Sequence, residues 1–218
     1  MRNIFSKFNK PFTFLWILFI LVGGLLVLFT DKGDIVLWLN ARHHPTLDIV
    51  FKYATDLGDG FVFLILVVGM LFYRYSYAIQ AVFCGLYTLL LAQGLKKTLF
   101  AGWPRPTRYF DETVVFNFVE GVRIHGTNTF PSGHTIAGFS IFFFIAYASK
   151  NKYISALSFI LALTVGFSRV YLLQHFFVDI YFGAILGVIA TVMAVITANK
   201  ILSYNGLDSL YEKSIMKK

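Results

Sequence analysis

One stretch of twelve residues, SRVYLLQHFFVD at 168–179, places Arg169, His175 and Asp179 between two runs that carry no charge at all. His175 and Asp179 are four apart, so on a helix they share a face. A carboxylate there accepts a hydrogen bond from one ring nitrogen and leaves the other with a free lone pair, which makes the imidazole a nucleophile or a base. Arg169 brings a planar fork of donors suited to phosphate oxygens. A second group is PSGH at 131–134, where Ser132 occupies the N-cap position of an apolar run starting at Thr135. The amides of Gly133 and His134 would then open a helix, which is an anion site by geometry and by dipole. A third group, LKKTLFAGWPRP, holds Lys96, Lys97 and Arg105. Each feature alone has a plainer explanation: an arginine that snorkels at a membrane edge, a helix-surface hydrogen bond, a simple cap. Together they describe a phosphoryl site with its own nucleophile and no cluster of metal ligands.

Composition indicates what must position these residues. Of 218 residues 57% are hydrophobic and only 14% charged, and mean hydropathy is +0.70. This is an integral membrane composition. Charge-free runs at 12–29, 61–73, 75–95, 135–149, 153–168 and 180–199 predict six spans, the shorter runs reaching spanning length by including their polar ends. The expected fold class is all-α: a polytopic membrane protein of six transmembrane helices forming a single domain over residues 1–218. The first run is 18 residues long and no small-x-small site follows it, so it reads as an uncleaved span. The lone cysteine, Cys84, permits no disulfide or zinc framework within the chain.

The net charge of +8 sorts by topology. With the N-terminus inside, the inner segments hold Arg2, Lys7, Lys10, Arg74, Lys150, Lys152, Lys200, Lys213, Lys217 and Lys218 against Asp208 and Glu212, while the outer segments balance to zero. That is the positive-inside asymmetry, and it argues against nucleic acid as the reason for the basic excess. All three polar groups fall on the outer face. Residues 31–60 read as an outer connection with short interfacial helices, and 96–133 as the longest loop.

PSGH and SRVYLLQHFFVD resemble two signature motifs of the type 2 phosphatidic acid phosphatase superfamily, which includes glucose-6-phosphatase and the vanadium haloperoxidases. The third motif matches at every fixed position, Ser168, Arg169, His175 and Asp179. The first motif, a lysine six residues before Arg-Pro, is altered: seven residues separate Lys97 from Arg105 and eight separate Lys96 from it. An insertion is absorbed most easily in the AGWP loop, which favours Lys96 and leaves Lys97 open. The resemblance covers about residues 90–190.

The resemblance implies that His175 attacks phosphorus to form a phosphohistidine, with Asp179 holding its tautomer. His134 would protonate the leaving oxygen and later activate water. Lys96 or Lys97, Arg105, Ser132, Gly133 and Arg169 would hold the equatorial oxygens, with no metal or other cofactor. The implied activity is a lipid phosphate phosphatase, on phosphatidate, phosphatidylglycerophosphate, undecaprenyl diphosphate or lipid A phosphates. The partners are the substrate lipid and the bilayer. The expected location is a bacterial inner membrane with both termini cytoplasmic and the active site facing the periplasm. A lipid-to-lipid phosphotransferase and a non-enzymatic transporter or scaffold are the competing readings. His125 is expected to be an exposed loop residue, and His43 with His44 are expected not to bind metal.

Overall fold

The computed structural model describes residues 10–149, 151–204, 207 and 213–216. Nine α-helices appear among them: α1 (Lys10–Phe29), α2 (Asp34–Asn40), α3 (Pro45–Ala54), α4 (Phe61–Tyr73), α5 (Tyr75–Lys97), α6 (Pro106–Tyr109), α7 (Gly133–Ser149), α8 (Lys152–Tyr171) and α9 (Phe177–Tyr204). A 3₁₀ turn, Thr55–Gly58, extends α3. The described residues contain no strand, and an isolated bridge joins Pro104 and Thr127. The all-α membrane class is confirmed.

The count of six spans is not reproduced as six comparable helices. α1, α5, α8 and α9 are long and apolar enough to cross a bilayer, and Pro45–Gly58 with Phe61–Tyr73 makes a fifth if that pair, bent by 61°, is one broken span. α7 has only 17 residues, about 26 Å of helix against a hydrocarbon core of about 30 Å. The reason is position. Residues 135–144 of α7 are all buried, enclosed by α5, α8 and α9, so its length need not match the lipid. The helices on the outside carry the apolar exposure instead, at Leu21, Leu25 and Leu28 on α1, Leu64 and Ile65 on α4, and Leu89 and Leu90 on α5.

Phe12, Phe139, Phe143 and Phe159 interlock at the centre, with Phe12 and Phe159 edge to face at 5.4 Å. α7 and α9 approach so closely that a Cβ on Gly187 would stand 2.5 Å from the Ile136 carbonyl, the use of small residues expected where membrane helices touch. Ser140 and Thr191 bond across that seam at 3.0 Å. Cys84 is fully buried.

The bundle sorts its polar residues to its two ends. The C-terminal ends of α5 and α8 and the N-terminal ends of α7 and α9 share one end, which carries the three polar groups. Lys10, Arg74, Lys152, Lys200 and Lys213 lie at the other, where Tyr75 N–H donates to the Lys213 carbonyl at 2.9 Å. The remaining charges of the inner set, Arg2, Lys7, Lys150, Asp208, Glu212, Lys217 and Lys218, fall outside the described residues.

Candidate active site

His175 sits in the short turn between α8 and α9, 1% exposed. Four residues on, Asp179 in the first turn of α9 places Oδ2 3.3 Å from His175 Nδ1. The same oxygen accepts the Phe176 N–H at 2.8 Å and the Thr129 hydroxyl. Three donors converging on one carboxylate oxygen fix the ring: Nδ1 carries the proton and Nε2 presents its lone pair. Burial first, and then the charges of Arg105, Lys96, Arg169 and His134, hold the His175 pKa well below its ordinary 6.5. The imidazole is therefore neutral, as a nucleophile must be.

The turn that delivers His175 is built by α8's own ending. The amides of Gln174 and His175 both donate to the Arg169 carbonyl, at 2.9 and 3.0 Å. Leu173 takes φ +57°, the left-handed position that ends many helices and that glycine usually fills. A leucine there costs about 1–3 kcal/mol. It is held by burial of its side chain, 1% exposed against Val36, Val170 and Phe176, a gain of about 1.5–3 kcal/mol.

Arg105 is brought in from the long loop. Its backbone N–H donates to the Gly126 carbonyl at 2.9 Å, and its Nε and Nη1 donate to the Thr127 carbonyl at 2.8 Å and to Gln174 Oε1 at 2.9 Å. Gln174 in turn donates to the Arg123 carbonyl at 3.0 Å. Phe100, Trp103 and Phe130 cluster beneath this loop, Phe100 and Phe130 at 4.6 Å. Arg169, in the last turn of α8, is 7% exposed and donates from Nη1 to Thr55 Oγ1 at 2.6 Å.

PSGH folds as its types predict, with one shift of emphasis. α7 starts at Gly133, and Ser132 caps it, accepting from Thr135 N at 3.4 Å and Thr135 Oγ1 at 2.8 Å. The Ser132 N–H goes to the Asp179 carbonyl at 3.2 Å, so this residue also ties α7 to α9 and keeps only its hydroxyl proton to give. No hydrogen bond among the described residues engages the amides of Gly133 and His134. His134 is half-buried, and its charge is among those that lower the His175 pKa.

The two lysines separate. A Cβ on Gly133 would stand 3.9 Å from Lys96 Nζ, which places that ammonium beside the open end of α7, whereas Lys97, one residue on, is exposed. Lys96→Ala is therefore expected to lower phosphatase kcat/KM by about 10- to 100-fold, a charge-assisted contact to an oxyanion, and Lys97→Ala by less than about twofold. Phosphate release by the two variants checks this, and equal losses would overturn the assignment.

The other polar residues take ordinary places. His125 is exposed, its pKa lowered by desolvation and then by the charges of Arg105, Arg123, Arg169 and Lys96. His43 bonds Asp48 at 3.2 Å, and His44 caps α3 by accepting from Thr46 N at 3.2 Å. Asp111, Glu112 and Glu120 are exposed, and no group of three or more His, Cys, Asp or Glu suited to a metal occurs among the described residues. Sequence reasoning missed Thr129, Gln174 and Thr55. Thr129 lies two residues before PSGH and Gln174 lies inside SRVYLLQHFFVD next to His175, and that closeness to the motifs was the available signal. Thr55 had none, because its partner is 114 residues away.

Comparison with known proteins addresses the fold and the family. The model of the PAP2 superfamily matches residues 70–202. The bacitracin transport permease protein BcrC of Bacillus licheniformis is 41% identical over 86 residues, which is 39% of this chain and 41% of that protein, so the chain spans well under half the length of this relative. The crystal structure of Aquifex aeolicus LpxE superimposes with a TM-score of 0.66 at 25% identity, covering 77% of this chain and 96% of that one. The transmembrane PAP2-type phosphatidylglycerolphosphate phosphatase of Bacillus subtilis shares the fold, with a TM-score of 0.59 at 24% identity over 88% of this chain and 97% of that one. With the family model matching more than half of the chain and the motifs gathered at one end of a membrane bundle, the chain belongs to the PAP2 superfamily.

Proposed function

We propose that this protein is a phosphatase that hydrolyses a phosphomonoester or diphosphate of a membrane lipid through a phosphohistidine on His175, at the extracytoplasmic surface. The observation that carries the reading is the buried His175–Asp179 pair at 3.3 Å, its free nitrogen set among the charges of Lys96, Arg105 and Arg169. His175 Nε2 forms a bond to phosphorus while the bond to the lipid oxygen breaks, and His134 gives that oxygen a proton. His134 then takes a proton from water as the water oxygen attacks phosphorus and the P–N bond breaks, returning both histidines to their starting state. The lysine, the two arginines, the Ser132 hydroxyl and the amides of Gly133 and His134 receive the equatorial oxygens, where charge accumulates. A lipid substrate is supported by position. The site lies at the ends of helices whose outer faces are apolar, at the level where a headgroup sits while its chains stay in the bilayer.

The test is purified protein against a panel of phosphatidate, phosphatidylglycerophosphate, undecaprenyl diphosphate and lipid A phosphates, with His175→Ala as the blank. Phosphate release and lipid-to-lipid transfer are scored separately. Because the stabilising charges belong to side chains, full activity is expected in EDTA and inhibition in orthovanadate. Activity abolished by EDTA and restored by a divalent ion would overturn the mechanism.

A further inference from the structure

We propose that Pro45–Gly58 is a positioning element of the phosphate pocket, in which Thr55 aims the Arg169 guanidinium. The proposal rests on Arg169 as a phosphate ligand and goes beyond the matched residues 70–202, since the whole segment lies before them.

The contact itself is specific. Thr55 Oγ1 accepts from Arg169 Nη1 at 2.6 Å, with the two residues 9% and 7% exposed. An arginine side chain has several rotatable bonds, and holding one nitrogen fixes the plane of its fork. The partner type matters as much as the distance. A carboxylate at Thr55 would also hold the guanidinium but would neutralise it, whereas a hydroxyl orients it without adding a charge of its own. Arg169 Nε is buried with no hydrogen-bond partner. A donor left open in a buried position is costly unless something arrives to fill it, and a phosphoryl oxygen supplies that acceptor.

The segment is fastened so that it can do this. At its start, the Tyr171 hydroxyl, two residues past Arg169, donates to Asp48 and accepts the His44 N–H at 3.1 Å, while the Tyr171 ring stacks on His43 at 5.1 Å. In its middle, Lys52 Nζ donates to the Glu120 carbonyl at 2.8 Å. At its end, a Cβ on Gly58 would stand 2.6 Å from the His134 carbonyl oxygen and 2.6 Å from Val165 Cγ1. Only a glycine lets the 3₁₀ turn lie against the first turn of α7. One four-residue turn thus touches both an arginine of the pocket and the backbone of the proposed general acid.

Thr55→Val and Thr55→Ser separate the hydroxyl from the packing, because valine keeps the shape and loses the oxygen while serine keeps the oxygen and loses the methyl. In the purified full-length chain, Thr55→Val is expected to lower kcat/KM by about tenfold, mostly in kcat, and to raise the half-saturating orthovanadate concentration by a similar factor. Thr55→Ser is expected to stay within about threefold of wild type in both, although it is the variant that loses packing. Vanadate binding, read by thermal shift, requires no turnover. If wild type binds vanadate but cleaves no phosphoester, the phosphatase mechanism fails while the two variants still decide the role of Thr55. Wild-type behaviour of Thr55→Val in both readouts would overturn the proposal. So would Thr55→Ser as impaired as Thr55→Val, which would make Thr55 a packing residue.

Discussion

Alanine at position 175 is expected to lower kcat/KM by at least about 10³-fold, equivalent to about 4 kcal/mol of transition-state stabilisation. The remaining groups can still bind the phosphoryl oxygens, so binding should outlast turnover. The ring is 1% exposed, and truncation leaves a small void beside Asp179, whose Oδ2 keeps the Phe176 and Thr129 donors. Folding should therefore survive, and protection against heat by inorganic phosphate would show that the pocket persists. A variant within tenfold of wild type would remove His175 from the nucleophile's role. The same residue sets a pH expectation. Its folded pKa is held below the unfolded 6.5 by burial and by neighbouring cations, so the neutral ring contributes stability above about pH 6.5 that is lost as pH falls through the folded value. The acid limb of kcat/KM that belongs to the nucleophile should lie below 6.5, once the substrate's own ionisation near about 6 is subtracted.

The motif residues were legible from sequence because their chemistry is local or periodic. His175 and Asp179 meet through a four-residue spacing, and Ser132 caps α7 because an N-cap lies next to the helix it opens. The topology brought the motifs together for the same reason: alternating spans put the ends of α5, α7, α8 and α9 on one side. What escaped was set by contacts between distant segments. Thr55 meets Arg169, and Gln174 meets Arg105, only after the bundle closes. All six predicted runs fall on helices, but they are not six comparable spans: burial frees α7 from matching the bilayer, and a 61° bend separates α4 from the helical segment Pro45–Gly58 before it. Spacing alone did not separate Lys96 from Lys97, because an insertion of one residue in the loop would fit Lys97 and one of two would fit Lys96, while adjacent helix residues point about 100° apart.

Asparagine at position 179 is expected to cost about 10²- to 10⁴-fold in kcat/KM while leaving the fold in place, and it tests charge rather than shape. Asp179 Oδ2 is the atom on which His175 Nδ1, the Phe176 amide and the Thr129 hydroxyl converge, whereas Oδ1 is buried with no partner. An asparagine can therefore keep its oxygen toward the three donors and turn its NH₂ to the empty side. The tautomer of His175 survives in that arrangement. What disappears is the negative charge that stabilises the ring as Nε2 bonds to phosphorus and positive charge develops on the imidazole. Asp179→Ala removes the acceptor as well, stranding two buried donors beside the histidine, and should add a stability loss of about 1–3 kcal/mol. Thermal melts and phosphate release on the two variants separate these effects. A large loss of rate in Asp179→Asn with a nearly unchanged melt assigns the residue's main contribution to its charge. If Asp179→Asn keeps wild-type rates and only Asp179→Ala fails, the carboxylate works solely as a hinge for the ring, and the charge argument for this pair is wrong.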